Sequence, residues 1–247
     1  MSVSKTDDLG SNPSAPAMAV FKFSKNDSFG RFQHLVGEVY SLPDDQLYSI
    51  YDLLAHQQRF AMRALKGIRK GDHEKLKINL LIAFSWLMAI ANRFHIDVDD
   101  AVWQRFPMLC SYCSKKPCAC KKIKPTSRRK LVIVKNARPP TLAGFQEMFM
   151  AIYPPSRRTL SDAGIHLAEE MGEVSEAVHN FLGQHRSGQL QSIKQEIADF
   201  VSCVFGVANS ARINIAAELA KMFSHNCHVC HKAPCVCSFS KVARLRT

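Results

Sequence analysis

Two carboxylate motifs near the C-terminal end have the spacing of a metal site. Glu169, Glu170 and Glu173 lie three and four positions apart, so they share one face of a predicted helix. Glu196 and Asp199 repeat the three-residue spacing on the next predicted helix. If these helices are antiparallel neighbours, two carboxylates from each converge and repel one another unless a hard cation lies between them. Mg²⁺ with retained waters and a phosphate ligand is the natural occupant.

The alternative is that these carboxylates are simply solvated, as glutamate-rich helix faces usually are. Two observations favour a metal. No lysine or arginine occurs between Arg158 and Arg186, so the first motif has no basic partner on its own helix. The second motif lies in an otherwise apolar segment, where burying a carboxylate is unfavourable.

Eight of the nine cysteines form two clusters with one spacing, C-x-x-C-x-x-x-P-C-x-C. The clusters are Cys110, Cys113, Cys118 and Cys120, and Cys227, Cys230, Cys235 and Cys237. Four thiolates in so short a segment predict tetrahedral Zn²⁺ in a structural knuckle. An iron–sulfur cluster and reduced thiols without metal are the alternatives. Cys203 stands alone on a predicted helix and is expected in the core.

The clusters lie 117 positions apart, and the apolar pattern before them agrees at the same offset, pairing Asn92 with Asn209 and Phe106 with Phe223. Further upstream the match resumes at an offset of 113, pairing Tyr40 with Tyr153. We interpret this as a tandem duplication.

The duplication divides the chain into four segments. Residues 1–25 are predicted to be a disordered tail, and residues 26–122 a first repeat that ends in a four-cysteine knuckle. Residues 123–140 are a basic linker, and residues 141–247 contain the second repeat with its own knuckle and a short basic end.

Each repeat predicts helices and no strands. The expected helices are 29–40, 45–67, 73–94 and 97–106 in the first repeat, and 142–153, a helix capped by Ser161 or Asp162 and ending near 183, 190–211 and 215–223 in the second. The fold class is therefore all-α, with two repeats packed as a pseudo-symmetric helical bundle.

The composition and charge of the chain indicate which kinds of protein and partner are expected. With 47% hydrophobic residues and 22% charged residues the chain is globular, and its formal charge of +12 favours polyanions as partners. No signal-peptide layout is found, and the longest apolar run, residues 80–91, is too short to span a bilayer. These features predict an intracellular, cytoplasmic protein with no membrane partner.

The two-part motif, EExxE and then ExxD after a spacer of 22 residues, resembles the metal-binding signature of the MazG-type all-α nucleoside triphosphate pyrophosphatases, a group that includes dUTPase-like enzymes. The resemblance covers about residues 141–225. It implies that Glu170, Glu173, Glu196 and Asp199 hold Mg²⁺ or Mn²⁺, with Glu169, Glu170 and Glu173 as the catalytic carboxylates.

By the same resemblance, the substrate is a nucleoside triphosphate, which is cut into a monophosphate and pyrophosphate. Asn209 and Lys221 become candidate phosphate or ribose contacts. The alternative for Asn209 is a helix-end cap shared with Asn92, and for Lys221 a solvated charge.

The first repeat departs from this pattern. Opposite the glutamates of the first motif it has Asp52, Leu53 and His56, and opposite the second motif Asn79 and Ile82. We therefore expect one live site per chain, in the second repeat, and a degenerate first repeat that serves as a built-in partner in an intramolecular pseudo-dimer. Homodimers of the whole chain are a further expectation, and Trp86 or Phe60 are candidate walls of the base pocket.

Two other functions use the same residues. In one, the chain is a sensor that binds a nucleotide without cleaving it. In the other, zinc knuckles and the basic residues Lys121, Lys122, Lys124 and Arg128 to Lys130 bind nucleic acid. The asymmetry between the repeats favours the enzyme, because drift without catalytic demand erodes both motifs.

Overall fold

The structure is a computed structural model that describes residues 22–122, 125–129, 131, 133–245 and 247. These residues form helices and no strands, which confirms the all-α prediction. The helices are α1 (Phe29–Leu47), α2 (Ile50–Lys70), α3 (His73–Arg93), α4 (Val98–Arg105), α5 (Leu142–Ile152), α6 (Leu160–Gln184), α7 (Ser187–Ala211), α8 (Ile215–Met222) and α9 (Phe239–Ala243).

All eight predicted helices are present, α9 was not predicted, and two boundaries were wrong in the first half. α1 does not end at residue 40 and continues through Pro43 to Leu47. α2 begins at Ile50 and not at 45, because Ser49 and Asp52 form a capping box in which each side chain accepts the backbone N–H of the other.

The predicted cap of α6 was also wrong. Neither Ser161 nor Asp162 is the cap, because α6 begins one residue after Thr159. Thr159 Oγ1 accepts the N–H of Asp162 at 3.0 Å, and the Asp162 carboxylate accepts the N–H of Thr159 at 3.1 Å. Asp162 therefore completes a capping box from the third helical position.

The two halves share one core. α2 packs along α3 and α6 along α7 as two helical hairpins, while α4 packs on α7 and α8 contacts α3. Rings from both halves meet in the middle: Phe29 lies 5.7 Å from Phe145 and 6.1 Å from Phe205, and Phe84 lies 6.1 Å from Phe205. α4 and α8 thus each contact the opposite half as well as their own.

One polar joint occurs in both halves with the same geometry. Gln33 Nε2 donates to Asn92 Oδ1 at 2.9 Å and to the carbonyl of Ile96 at 2.7 Å. Gln146 Nε2 donates to Asn209 Oδ1 and to the carbonyl of Ile213 at these same two distances. Such agreement supports the proposed duplication, which stays a prediction.

Two predicted segments fall partly outside the described residues. Of the tail 1–25, residues 1–21 are not described, whereas Phe23 is buried against Phe32 with ring centroids 5.3 Å apart. Residues 123, 124, 130 and 132 of the linker 123–140 also lie outside the described part, and with them Lys124 and Lys130.

No single helix in the described part of the chain has the length and apolar character to cross a membrane. α7 and α8 reach that length and composition only as a pair, and they are bent by 98° at their junction.

Candidate active site

Carboxylates from α6 and α7 converge where the two helices pack side by side. One ligand oxygen each from Glu170, Glu196 and Asp199 lies within 4.8 Å of the others. Asp199 is buried, and the two glutamates are half-buried. The two motifs thus meet as the sequence predicts.

The other two motif residues take different positions. Glu173 is exposed, but its charge acts on both Glu170 and Glu196. Glu169 lies away from the group: its carboxylate is 57% exposed and pairs with Nδ1 of His166 at 3.0 Å. The structure therefore brings four of the five predicted carboxylates into one electrostatic group and leaves Glu169 beside it.

The converging carboxylates are difficult to ionise together. Burial, followed by the charges of Asp199, Glu173 and Glu196, raises the pKa of Glu170 to about 8. Burial, followed by Asp199 and Glu173, raises the pKa of Glu196 to about 7. Negative charge at this point is therefore in excess of what the protein neutralises, and a bound cation removes that excess.

The oxygens themselves are suited to a divalent cation. Oε2 of Glu170 and Oε2 of Glu196 are both buried and have no hydrogen-bond partner. Buried carboxylate oxygens without partners are costly in free energy, and oxygen ligands are those that Mg²⁺ prefers. The donor set and its orphaned atoms thus fit such an ion.

Asp199 is also bonded to arginines from outside the second half's hairpin. Arg105, the last residue of α4, donates from Nε to the two carboxylate oxygens at 3.0 and 3.1 Å, and from Nη2 to Oδ2. The side chains of Arg105 and Asp199 are only 11% and 8% exposed. Nη2 of Arg128, in the linker, lies 3.7 Å from the same carboxylate. Neither contact was predicted from the sequence.

A cleft opens beside these arginines. Its volume is about 490 Å³, and it lies between α4, the linker and the first part of α7. Its charged lining residues are Arg105, Arg128, Arg129 and Lys194, with Asp97 and Asp100. A cleft with four cations next to a carboxylate group has the charge pattern needed for a metal-bound polyphosphate.

The two predicted substrate contacts lie elsewhere. Asn209 is buried, and its amide is used by Gln146 through Oδ1 at 2.9 Å and Nδ2 at 3.2 Å. These bonds match those of Asn92 and favour the structural alternative. Lys221 is 73% exposed and bonds to Glu218, which also pairs with Lys77 of α3. Both substrate roles stay predictions.

The corresponding place in the first half is filled by the chain itself. His56 stacks on Trp86 with ring centroids 4.7 Å apart, and Asn79 accepts a hydrogen bond from Thr247 Oγ1 at 2.6 Å. Met222 and Leu245 pack against an apolar cluster made of Phe60, Ala61, Ile82 and Ala83. Trp86 and Phe60, the predicted walls of a base pocket, therefore line the degenerate position of the first half and not the cleft beside the carboxylate group.

The two halves correspond residue by residue at this point. Ile82 matches Asp199, Met222 matches Arg105 and Leu245 matches Arg128 at the offset of 117. The contact is therefore apolar in one half and charged in the other.

Both cysteine clusters close into compact groups of sulfurs. In each, one Sγ per residue lies within 4.8 Å of the others, and all nine cysteines are free thiols. Four sulfurs around a tetrahedral Zn²⁺ are about 3.8 Å apart. Three of the four hydrogen-bonded pairs are close to this value, namely Cys110 and Cys120 at 3.7 Å, Cys113 and Cys118 at 4.0 Å, and Cys230 and Cys235 at 3.7 Å, while Cys227 and Cys235 are closer, at 3.4 Å.

One thiol of the second cluster is prepared for ionisation. The Sγ of Cys235 donates to that of Cys227 at 3.4 Å, and this bond, followed by backbone N–H groups, lowers the pKa of Cys227 below its ordinary value. A thiolate is the form that binds metal. Cys203 is buried in the core, as predicted.

Both carboxylate motifs and the helices that carry them fall inside one recognised segment. Residues 158–232 match the family model of the MazG nucleotide pyrophosphohydrolase domain. The match confirms the resemblance inferred from EExxE and ExxD. A MazG domain implies a hydrolase that acts on nucleotides. Searches of the curated proteins and of the solved structures gave no significant match.

The MazG segment contains α6, α7, α8 and the first part of the second cysteine cluster. Arg105 and Arg128 lie outside the matched residues, although both reach a MazG carboxylate. The site therefore combines a MazG hairpin with charged residues that the rest of this chain adds.

Proposed function

We propose that the MazG segment is a Mg²⁺-dependent nucleoside triphosphate pyrophosphohydrolase with one live site per chain. It cleaves between the α- and β-phosphates and releases a monophosphate and pyrophosphate. The observation that carries the proposal is the convergence of Glu170, Glu196 and Asp199, with two buried oxygens that have no partner.

Glu170, Glu173, Glu196 and Asp199 hold the ion, which is Mg²⁺ or Mn²⁺. The bound ion neutralises polyphosphate charge and lowers the pKa of an attacking water. Glu173, exposed beside the group, is free to accept a proton from that water. Glu169 completes the motif from the flank, where an exposed carboxylate orients a water or a ligand.

Arginine side chains that line the cleft bind the phosphates of the substrate. Arg105 and Arg128 lie between the carboxylate group and the cleft, so a triphosphate in the cleft meets both guanidinium groups and the bound ion. Arg129 and Lys194 line the same cleft and add charge for the outer phosphates. In the ligand-free state Arg105 neutralises Asp199, and nucleotide binding transfers part of that contact to phosphate.

The first half acts as the partner that MazG-type hairpins pack against, which makes the chain an intramolecular pseudo-dimer. It supplies Arg105 to the site. We assign Zn²⁺ to each four-cysteine cluster, in a structural role, because the thiols are arranged at the spacing of a tetrahedral site.

The proposal is tested by offering the full chain the eight common nucleoside triphosphates with Mg²⁺ and separating the products by ion exchange. We expect monophosphate and pyrophosphate from wild type and at least about a hundredfold less from Glu173→Gln. His56→Gln changes the corresponding position of the first half and is the matched control, which keeps full turnover.

Two results contradict the proposal. Nucleotide binding without turnover indicates the sensor function. Absence of both, together with retention on single-stranded nucleic acid at moderate salt, indicates the nucleic-acid module.

A further inference from the structure

The first four-cysteine cluster follows α4 and the second follows α8, but each cluster hydrogen-bonds to the opposite half. The N–H of Cys118 donates to the carbonyl of Ile152, the last residue of α5, at 2.8 Å. The N–H of Cys235 donates to the carbonyl of Val39, in α1, at 2.7 Å. Both clusters thus dock on the first helix of the opposite half.

The two acceptor carbonyls are available because of prolines. Pro43 lies four residues after Val39 inside α1, and since proline has no N–H the helix cannot use the Val39 carbonyl. α5 ends at Ile152, before Pro154 and Pro155, so its last carbonyls are also left without helical partners. The cluster amides take the acceptors that the helices release.

Tyrosines of the opposite half reach the ligand sulfurs themselves. Tyr153 Oη donates to Sγ of Cys110 at 3.4 Å. Tyr40, its counterpart, lies 3.3 Å from Nδ1 of His228, the residue after Cys227, and its pKa is raised by burial and by the nearby Cys227 thiolate. Hydrogen bonds of this kind orient metal ligands, and here each comes from across the molecule.

The helix before each cluster crosses in the same way. The ring of Phe106 lies 5.1 Å from that of Phe149 in α5, and the ring of Phe223 lies 5.7 Å from that of Phe32 in α1. Helix and cluster together form an arm, which is residues 98–120 in the first half and 215–237 in the second. The start of each arm stays joined to its own half, where α4 packs on α1 and α8 on α5, while its end and its cluster cross to the opposite half; we call these the exchanged arms.

The first arm also carries the charged contacts of the active site. Arg105 precedes its cluster by five residues and bonds to Asp199. After the cluster, Arg129 donates its N–H to the carbonyl of Tyr112 at 3.3 Å, and Arg128 lies over the Tyr112 ring at 5.8 Å. Both arginines at the carboxylate group are therefore held through this cluster.

We propose that each cluster binds one Zn²⁺ through four thiolates and that the ion attaches the exchanged arm to the opposite half. The ion at Cys110–Cys120 holds Arg105 and Arg128 against Asp199, while the ion at Cys227–Cys237 holds the C-terminal arm over the degenerate position. Zinc binding displaces the thiol protons, and its free energy is added to the stability of the interface between the halves.

The test is hydrogen exchange of the full chain by mass spectrometry, with zinc content measured on the same samples. Cys113→Ser and Cys230→Ser are matched variants, 117 positions apart, that each remove one ligand. For Cys113→Ser we expect one zinc instead of two and about tenfold faster exchange in residues 148–158 of the opposite half, with residues 33–47 unchanged. Cys230→Ser gives the converse pattern.

Stepwise removal of zinc from wild type with a chelator provides the second measurement if a variant fails to fold. It is expected to deprotect the same two segments as zinc is lost. Exchange that rises only in the half to which the emptied cluster belongs contradicts the proposal, as does a fully reduced protein that binds no zinc or that binds an iron–sulfur cluster. No nucleotide takes part, so the result is independent of the proposed hydrolysis.

Discussion

Arg105 and Asp199 form a nearly buried ion pair that joins α4 of the first half to α7 of the second. At the offset of 117, Arg105 corresponds to Met222 of α8 and Asp199 corresponds to Ile82 of α3, and Met222 packs on the apolar cluster that contains Ile82. The contact between α4 and α7 is therefore charged, whereas the corresponding contact between α8 and α3 is apolar. The charged contact is the one that lies beside the carboxylate group.

This relationship predicts a strong coupling between the two residues. Arg105→Met leaves a buried carboxylate without its bidentate partner and is expected to lower the free energy of unfolding by about 3 kcal/mol in Mg²⁺-free buffer. The double variant Arg105→Met with Asp199→Ile copies the first half's pair and should recover most of that loss. Urea unfolding of the single and double variants measures the coupling. If the loss of unfolding free energy in the double variant equals the sum of the losses in the two single variants, Arg105 and Asp199 are not coupled, which contradicts the ion pair.

Asn209 is predicted to stabilise the fold. Its amide bonds to Gln146, which also accepts the N–H of Ile215 at 3.0 Å, so Asn209→Ala opens a joint between α5, α7 and α8. We expect a loss of about 2 kcal/mol in unfolding free energy, because buried partners are left unsatisfied. Asn92→Ala is the matched control and should lose a similar amount. An Asn209→Ala protein of normal stability with a raised KM supports a substrate contact instead.

Asp44 is predicted to make stability depend on pH. Burial raises the pKa of its carboxyl to about 7, although Arg93 opposes this shift. Because the folded state holds the proton more tightly than the unfolded state, stability from this group is present at pH 4 and is lost as pH rises toward 7. Asp44→Asn mimics the neutral acid. Between pH 4 and pH 7 the free energy of unfolding should therefore fall by about 2 kcal/mol less in this variant than in wild type.

The control for this prediction is the next residue. Asp45 has a side chain that is 68% exposed and lies 3.2 Å from Arg93. The charge of Asp45 adds to the raised pKa of Asp44 only after burial and Arg93, so Asp45→Asn should change the pH profile of thermal unfolding much less than Asp44→Asn does. Equal profiles for wild type and Asp44→Asn contradict the buried-acid account.

Divalent metal is predicted to stabilise the chain through the carboxylate group. At about 100 times its Kd, Mg²⁺ should raise the Tm by about 5 °C, because an ion that binds only the folded state adds about 2.7 kcal/mol. Glu196→Gln removes a ligand with an unpartnered oxygen and should abolish this rise. Glu169→Gln, on the exposed flank, should keep it. If Mg²⁺ fails to raise the Tm of both variants, Glu169 is also needed for metal binding, which contradicts its placement outside the metal site.

Much of the fold was predictable because helix periodicity, breakers and the duplicated cysteine spacing are local features. The meeting of Glu170 with Glu196 followed from motif spacing on the condition that α6 and α7 are antiparallel neighbours, which the structure shows. The errors were at helix ends, because several residues near each end can cap a helix and the sequence does not show which one does. In the structure the caps of α2 and α6 are Ser49 and Thr159. Pro43 was tolerated inside α1 because a cluster amide uses the carbonyl that it leaves free.

The contacts between halves were not predictable from one sequence. Arg105 is 94 residues from Asp199, and neither its type nor its spacing marks it as part of the carboxylate group. The one signal in the sequence is the offset of 117, at which Arg105 corresponds to Met222 and Asp199 corresponds to Ile82. That these two positions lie in contact becomes visible only in the structure, where each arm crosses to the opposite half.

The central claim is tested most directly by hydrolysis in ¹⁸O-labelled water. Wild type with Mg²⁺ and a nucleoside triphosphate that it turns over is analysed by mass spectrometry beside Glu170→Gln. We predict that the bond between the α- and β-phosphates is cleaved, giving monophosphate and pyrophosphate with a single label between them, and that the variant releases neither. Release of labelled inorganic phosphate with a nucleoside diphosphate, or equal turnover by the variant, contradicts a pyrophosphohydrolase site at these carboxylates.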